Sequence, residues 1–148
     1  MIDTNLLGVY YGLRFAAPEI AQKDGGHIVI TSSVAGLRGS PGLMAYVMSK
    51  HGLIGLVKNA ALELAPMNIR VNTVNPSPVE TRMMRSIEEQ AGPEAPGQVK
   101  KSFEESIPLK RYGQPEEIAQ LIFFLASPKN TFITGSVYVI DGGMTAGL

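Results

Sequence analysis

Cysteine is absent from the 148 residues, which excludes a disulfide framework and thiolate chemistry and leaves the redox compartment open. An excess of one charge is absent too, since thirteen Lys and Arg balance thirteen Asp and Glu. No basic stripe gathers anywhere; Lys100 and Lys101 sit among Glu94, Glu104 and Glu105. Nucleic acid and an anionic membrane surface are therefore not expected as partners. The longest apolar run, residues 121–126, is far short of the ~20 residues of a membrane span. The start, with Asp3 and Asn5, lacks the basic-then-apolar pattern of a signal peptide. Two His and no Cys make a zinc site improbable, and no metal is expected. The reading is a cytoplasmic protein.

What is present is an ordinary globular balance, 45% hydrophobic and 18% charged, in a length that can bury ~70% of its unfolded surface. From Asn5, apolar residues recur at Leu6, Val9, Leu13, Ala17 and Ile20 with helical period. Pro18 should strain the last turn of that helix. His27-Ile28-Val29-Ile30-Thr31 is a β-branched run of the kind buried on both faces of a parallel sheet. A Gly-rich loop leads to a long helix over about residues 45–65, ended by Pro66.

Residues 69–74 read as a second strand, broken at Asn75-Pro76-Ser77-Pro78 because proline removes ladder donors. Residues 81–106 divide at a Gly/Pro-rich stretch into two amphipathic pieces, expected to form a mobile lid. Gly113-Gln114-Pro115-Glu116-Glu117 opens another helix, with Pro in the first turn and acids at the positive end of its dipole. A last strand, residues 136–140, ends at Asp141-Gly142-Gly143. Strands joined through helices predict an α/β fold, a parallel sheet with right-handed crossovers and helices on both faces.

In such sheets ligands bind beyond the carboxyl ends of the strands. Ser33 falls just past the first strand, and Tyr46 and Lys50 are one helical turn apart at the start of the long helix. A Tyr and a Lys four apart arise by chance about once in four chains of this composition, so the pair alone is weak. Ser33 alone reads as a turn or cap. His51, about 100° from Lys50 around the helix, reads as a surface residue rather than a base. His27 has no ligand-spaced partner, and the glycines of residues 36–42 follow the candidate serine instead of opening a helix over phosphates.

Together the motifs say more. Ile30-Thr31-Ser32-Ser33, Tyr46-Val47-Met48-Ser49-Lys50, Asn75-Pro76-Ser77-Pro78-Val79-Glu80-Thr81 and Asp141-Gly142-Gly143, in this order, resemble successive motifs of the short-chain dehydrogenases/reductases. Asn5 resembles that family's helix asparagine. The nearest look within the family is that of the 3-oxoacyl-carrier-protein reductases and the sugar and alcohol dehydrogenases.

Elementary chemistry agrees. A phenol loses its proton near pH ~10, too high for a base at neutrality, and an ammonium and a helix N-terminus both favour the phenolate. Tyr46 would then exchange a proton with an alcohol or carbonyl oxygen, and Ser33 would hydrogen-bond that oxygen as charge develops. The resemblance further implies NAD or NADP as cofactor, with Lys50 on the nicotinamide ribose and Asn5 positioning a water. Pro76, Ser77, Val79 and Thr81 would wrap the nicotinamide, Val79 by its backbone. Ser77 stands where the family more often shows Gly. A small carbonyl or alcohol substrate and a homotetramer are implied in the same way.

No G-x-G-x-x-G fingerprint occurs, and no strand precedes Met1. Residues 1–148 therefore read as the C-terminal, catalytic half of a Rossmann-like doubly wound domain whose first βαβαβ half is absent. In the full sheet the strand at residues 27–31 would be central, and loss of its neighbour would bare an apolar edge. The alternative is a catalytically inactive remnant acting as a structural or oligomerisation module. A serine hydrolase is a distant third reading, with neither a G-x-S-x-G elbow nor a suitably placed His.

Overall fold

The computed structural model describes residues 1–147. Three strands, β1 (Gly26–Thr31), β2 (Ile69–Pro76) and β3 (Val137–Ile140), form a parallel sheet in the order β1-β2-β3. Gly26 pairs with Ile69 and Thr31 with Val74; Thr73 pairs with Val137 and Pro76 with Ile140. Among the described residues β2 takes the middle of the sheet and β1 an edge.

Alternation along the strands sorts the core into two layers. Ile28, Ile30, Ile69 and Val71 face α1 (Gly8–Ala21) and α2 (Met44–Leu64), where Leu13, Ala17, Leu53, Val57 and Ala60 bury against them. Val29 and Val74 face the other way, against Ile118 and Leu125 of α5 (Pro115–Ala126). This is the helix–sheet–helix layering that the order of elements predicts.

Two local expectations concern proline, and the second needs correction. Helix α1 runs through Pro18 to Ala21. Arg14 and Pro18 both lie on its exposed face, so water can take the Arg14 carbonyl that proline leaves without its intrahelical donor. Strand β2 does not break at Asn75 but continues through Pro76. Thr73 and Ser77 donate to Ser136 and Ile140 on the β3 side, while Val74 accepts from Ser32 on the β1 side. The missing N–H of Pro76 therefore points past the end of β1, where no ladder bond is lost.

All eight residues of β2 are buried, although half are polar, and each of these is used. Arg70 donates to the carbonyls of Leu125 (3.1 Å) and Ser127 (3.3 Å), satisfying the C-terminal end of α5, and to Ile133 (2.8 Å). Asn72 donates to the Ile133 carbonyl at 2.9 Å and accepts from Ser136 N–H at 3.0 Å, holding the segment that leads into β3. At this same amino end of the sheet the turns into β1 and β2 touch. Asn68, left-handed at φ 57°, donates through Nδ2 to the Asp24 carbonyl. Gly25 (φ 98°) lies so close to Asn68 that a Cβ would overlap its backbone.

The candidate lid folds as two helices, α3 (Arg82–Ala91) and α4 (Pro96–Ser106). No helix among the described residues is long and apolar enough to cross a membrane.

Candidate active site

The site is built where β1 and β2 end. After β1 the chain turns through a short 3-10 helix (Val34–Gly36) that Ser33 caps, its Oγ accepting from Ala35 N–H at 3.2 Å. The Ser33 hydroxyl also reaches the Pro76 carbonyl at 3.5 Å, across to the end of β2. From β2, the fully buried Asn75 donates to the Ser33 carbonyl at 2.9 Å while its Oδ1 accepts from the Thr73 hydroxyl. Ser33 is thus held on both its side chain and its backbone.

Helix α2 meets this turn at very short range. Buried Ser32 donates to the Lys50 carbonyl at 3.0 Å. A Cβ on Gly36 would stand 2.7 Å from Ser32 Oγ and 2.8 Å from the Lys50 carbonyl oxygen, so this position has room only for glycine. Lys50 then folds back on the strand, its Nζ donating to the Thr31 carbonyl at 3.1 Å and lying 5.7 Å from the centre of the Tyr46 ring. Burial pushes its ammonium pKa below the ordinary lysine value. One of the three Nζ protons is committed to Thr31, leaving two for a ligand.

Asn5 lies in a π-helical turn (Asp3–Leu7) that opens α1, a distortion often found at functional sites. Its amide donates to Ser49 Oγ at 3.2 Å, and the fully buried Ser49 donates to the Tyr46 carbonyl at 2.7 Å. Asn5 therefore reaches α2 one residue from Lys50, through Ser49, and makes no hydrogen bond to Lys50 itself among the described residues. His51 accepts no such place: it lies exposed, with Nδ1 3.0 Å from the Val47 carbonyl on its own helix.

Beyond β2, the Pro78 carbonyl and Glu80 N–H bracket Gly113, accepting from and donating to it at 3.0 and 2.8 Å. Strand alternation then turns the N–H and C=O of Val79 away from Gly113, and neither has a partner among the described residues. Ser77 N–H donates to the Ile140 carbonyl at 3.4 Å. Thr81 caps α3, its Oγ accepting from Met84 N–H, which leaves the hydroxyl proton free to donate outward. Met83, two residues on, is 72% exposed.

Sequence reasoning gives no role to Ser32, Gly36, Ser49 or Asn75. Their signal is faint: a serine inside a helix between Tyr46 and Lys50, and an asparagine inside a buried strand. Each is a buried polar group, or a missing Cβ, spent on aligning the backbone that carries a candidate residue. A wider groove of about 410 Å³ opens between α3 and α4, lined by Ala91, Val99 and Phe103 among others. It contains none of these candidates, all of which gather instead at or beyond the strand ends. Among the described residues no three acidic or imidazole groups gather to hold a metal ion.

A parallel α/β sheet with a Tyr–Lys helical turn closing over the end of its edge strand is a Rossmann-like arrangement. The chain belongs to the short-chain dehydrogenase/reductase family, with residues 1–145 matching the family described as Enoyl-(Acyl carrier protein) reductase. Cyclohexanol dehydrogenase of Acinetobacter sp. is 42% identical over 146 residues, covering 99% of this chain and 54% of that protein. The crystal structure of levodione reductase superposes with a TM-score of 0.93 at 35% identity, over 97% of this chain and 56% of that one. ElxO, solved with NADP bound, superposes with a TM-score of 0.84 at 35% identity, over 96% and 55%. The chain spans about half the length of the curated relatives it matches.

Proposed function

We propose that this chain is the proton-transferring half of an NAD- or NADP-dependent dehydrogenase/reductase that interconverts a small carbonyl compound and its secondary alcohol. The observation that carries the reading is Lys50 Nζ, bonded to the Thr31 carbonyl at 3.1 Å and 5.7 Å from the Tyr46 ring. It sets an ammonium beside a phenol at the end of the strand that delivers Ser33.

The residues fit a nicotinamide cofactor. The free N–H and C=O of Val79 would hold a nicotinamide carboxamide, one as donor and one as acceptor. The outward proton of Thr81 suits the same oxygen. The two uncommitted protons of Lys50 suit a pair of ribose hydroxyls. Pro76 and Ser77 carry the backbone between these points. When bound, the cofactor supplies or accepts the hydride at the substrate carbon.

In the reducing direction Tyr46 would give its hydroxyl proton to the carbonyl oxygen of the substrate. Ser33 donates to the same oxygen, where negative charge builds. Lys50 stabilises the resulting phenolate by its charge, and Asn5 orders water through which the phenol regains a proton. In oxidation the phenolate removes the alcohol proton and the sequence reverses. The ElxO relative with NADP bound and the dehydrogenase and reductase names of the other relatives support this class of reaction.

The test joins this chain to the N-terminal βαβαβ half of a close relative and assays a panel of simple ketones and secondary alcohols. Tyr46→Phe in that chimera should lower kcat at least ~100-fold while cofactor binding stays within about twofold, since one hydroxyl is lost and little volume. A chimera that binds cofactor yet turns over nothing in the panel would favour an inactive module. Full activity in Tyr46→Phe would remove Tyr46 from the proposal.

A further inference from the structure

The segment that carries Val79 and Thr81 is tied to the helices beside it through one side chain. Glu80 meets the Arg85 guanidinium of α3 and accepts from Lys100 Nζ of α4 at 2.9 Å. Each cation has a second acid on its own helix: Arg85 lies 2.9 Å from Glu88, and Lys100 lies 3.7 Å from Glu104. Among the described residues Glu80 is the one acid paired to both helices.

The cluster is not an open surface network. Glu88 is 3% exposed and Tyr112, beneath it, 1%. Burial first, and then the facing Glu88 carboxylate, hold the Tyr112 hydroxyl above the ordinary phenol range. Lys100 Nζ stands 5.4 Å from the centre of the Tyr112 ring, so α4 rests on this aromatic floor as well as on Glu80. Partly buried pairs of this kind are screened less by solvent than pairs on an open face.

We propose that Glu80 is the positioning residue that couples the lid to the cofactor-facing backbone, holding α3 through Arg85 and α4 through Lys100 to one setting of Val79 and Thr81. The inference rests on the reading of Val79 and Thr81 given above. Glu80 N–H is pinned to the Gly113 carbonyl at 2.8 Å, so its peptide cannot follow the lid freely. Its side chain points to the helices while the Val79 edge points away from Gly113. A movement of either helix therefore pulls on the residue between the two cofactor contacts. Because both helices hold the same carboxylate, they open together. Carboxylate chemistry is required: an amide would turn its NH2 toward one of the two cations and lose that pair. Aspartate keeps the charge but is one methylene shorter.

The experiment is amide hydrogen exchange on the chimera described above, without and then with NADPH or NADH. In Glu80→Gln, exchange should rise about tenfold in α3 and α4 together, as expected for losing partly buried pairs, with β2 and α2 unchanged. Glu80→Asp should recover part of the protection in both helices. A response in only one helix, in neither, or equally in β2 overturns the coupling. With cofactor present, wild type should slow at Val79 and Thr81, Glu80→Asp should keep part of that slowing and Glu80→Gln should lose it. Undiminished slowing in Glu80→Gln overturns the positioning role. If neither dinucleotide slows these amides in wild type, the nicotinamide reading falls, and the joint response of α3 and α4 still decides the coupling.

Discussion

At the carboxyl end of the sheet the candidate side chains are tied to backbone atoms: Lys50 to Thr31, Ser32 to Lys50, and Asn75 to Ser33. The lid beside it is tied by charged side chains meeting one another, around Glu80, Arg85 and Lys100. The two arrangements respond to different agents. Short bonds to carbonyls, two of the three from buried neutral groups, respond little to salt and are intolerant of added volume. Charge pairs on long side chains tolerate shape changes and weaken as ions screen them. The region proposed to hold reacting atoms still has the first kind of support, and the region expected to open as a lid has the second.

The sharpest way to break this contrast is to add one methyl group at the tightest point. Gly36→Ala places a Cβ against Ser32 Oγ and the Lys50 carbonyl. It should destabilise the chain by about 1–3 kcal/mol, the usual range for overpacking. Urea denaturation should show the loss as a lower midpoint with an unchanged slope. An unchanged midpoint would mean that the approach of α2 to the β1 turn is looser than these distances state.

Salt probes the other region. Raising ionic strength to about 1 M shortens the screening length to ~3 Å. Exchange in α3 and α4 should then quicken by about twofold relative to low salt, since the pairs are only partly exposed, while amides of β1 and β2 hold their protection. Equal behaviour of the two regions would erase the distinction.

Why one region was legible from sequence and the other was not follows from the same contrast. Strands β1 and β3 show as β-branched runs, and α5 shows through Pro115 followed by Glu116 and Glu117, because local chemistry decides them. The Tyr46–Lys50 turn is legible because four residues make one turn of any helix. The end of β2 was misread at Pro76, since only the sheet reveals on which side a missing donor falls. Ser49 and Asn75 give only a faint signal, because their partners, Asn5 and the Ser33 carbonyl, lie 44 and 42 residues away. The lid is the extreme case. Its two helices follow from the Gly/Pro interruption, whereas the Glu80–Lys100 pair spans 20 residues with no periodicity to announce it.

The smallest expected effect comes from a charge pair outside both regions, at the start of α5. Arg111 donates to both carboxylate oxygens of Glu117, at 2.8 and 2.7 Å, and Gln114 N–H donates at 2.7 Å, closing a capping box. The Arg111 hydrogen bonds first, and the Gln114 N–H second, pull the Glu117 carboxyl from 4.5 down to about 2. A folded-state value below the unfolded one means that the unfolded chain binds more protons between the two. The stabilisation is therefore complete above about pH 4.5 and is lost as pH falls through about 2. The pair is half exposed, so solvent takes much of its value and the change in melting temperature should be slight. Glu117→Gln should melt below wild type at about pH 6, and the gap should narrow steadily toward about pH 2. A gap that stays constant through that window would show that Glu117 acts as a cap by shape alone. A gap as large as that of Gly36→Ala would mean that surface charge and backbone packing support this fold equally.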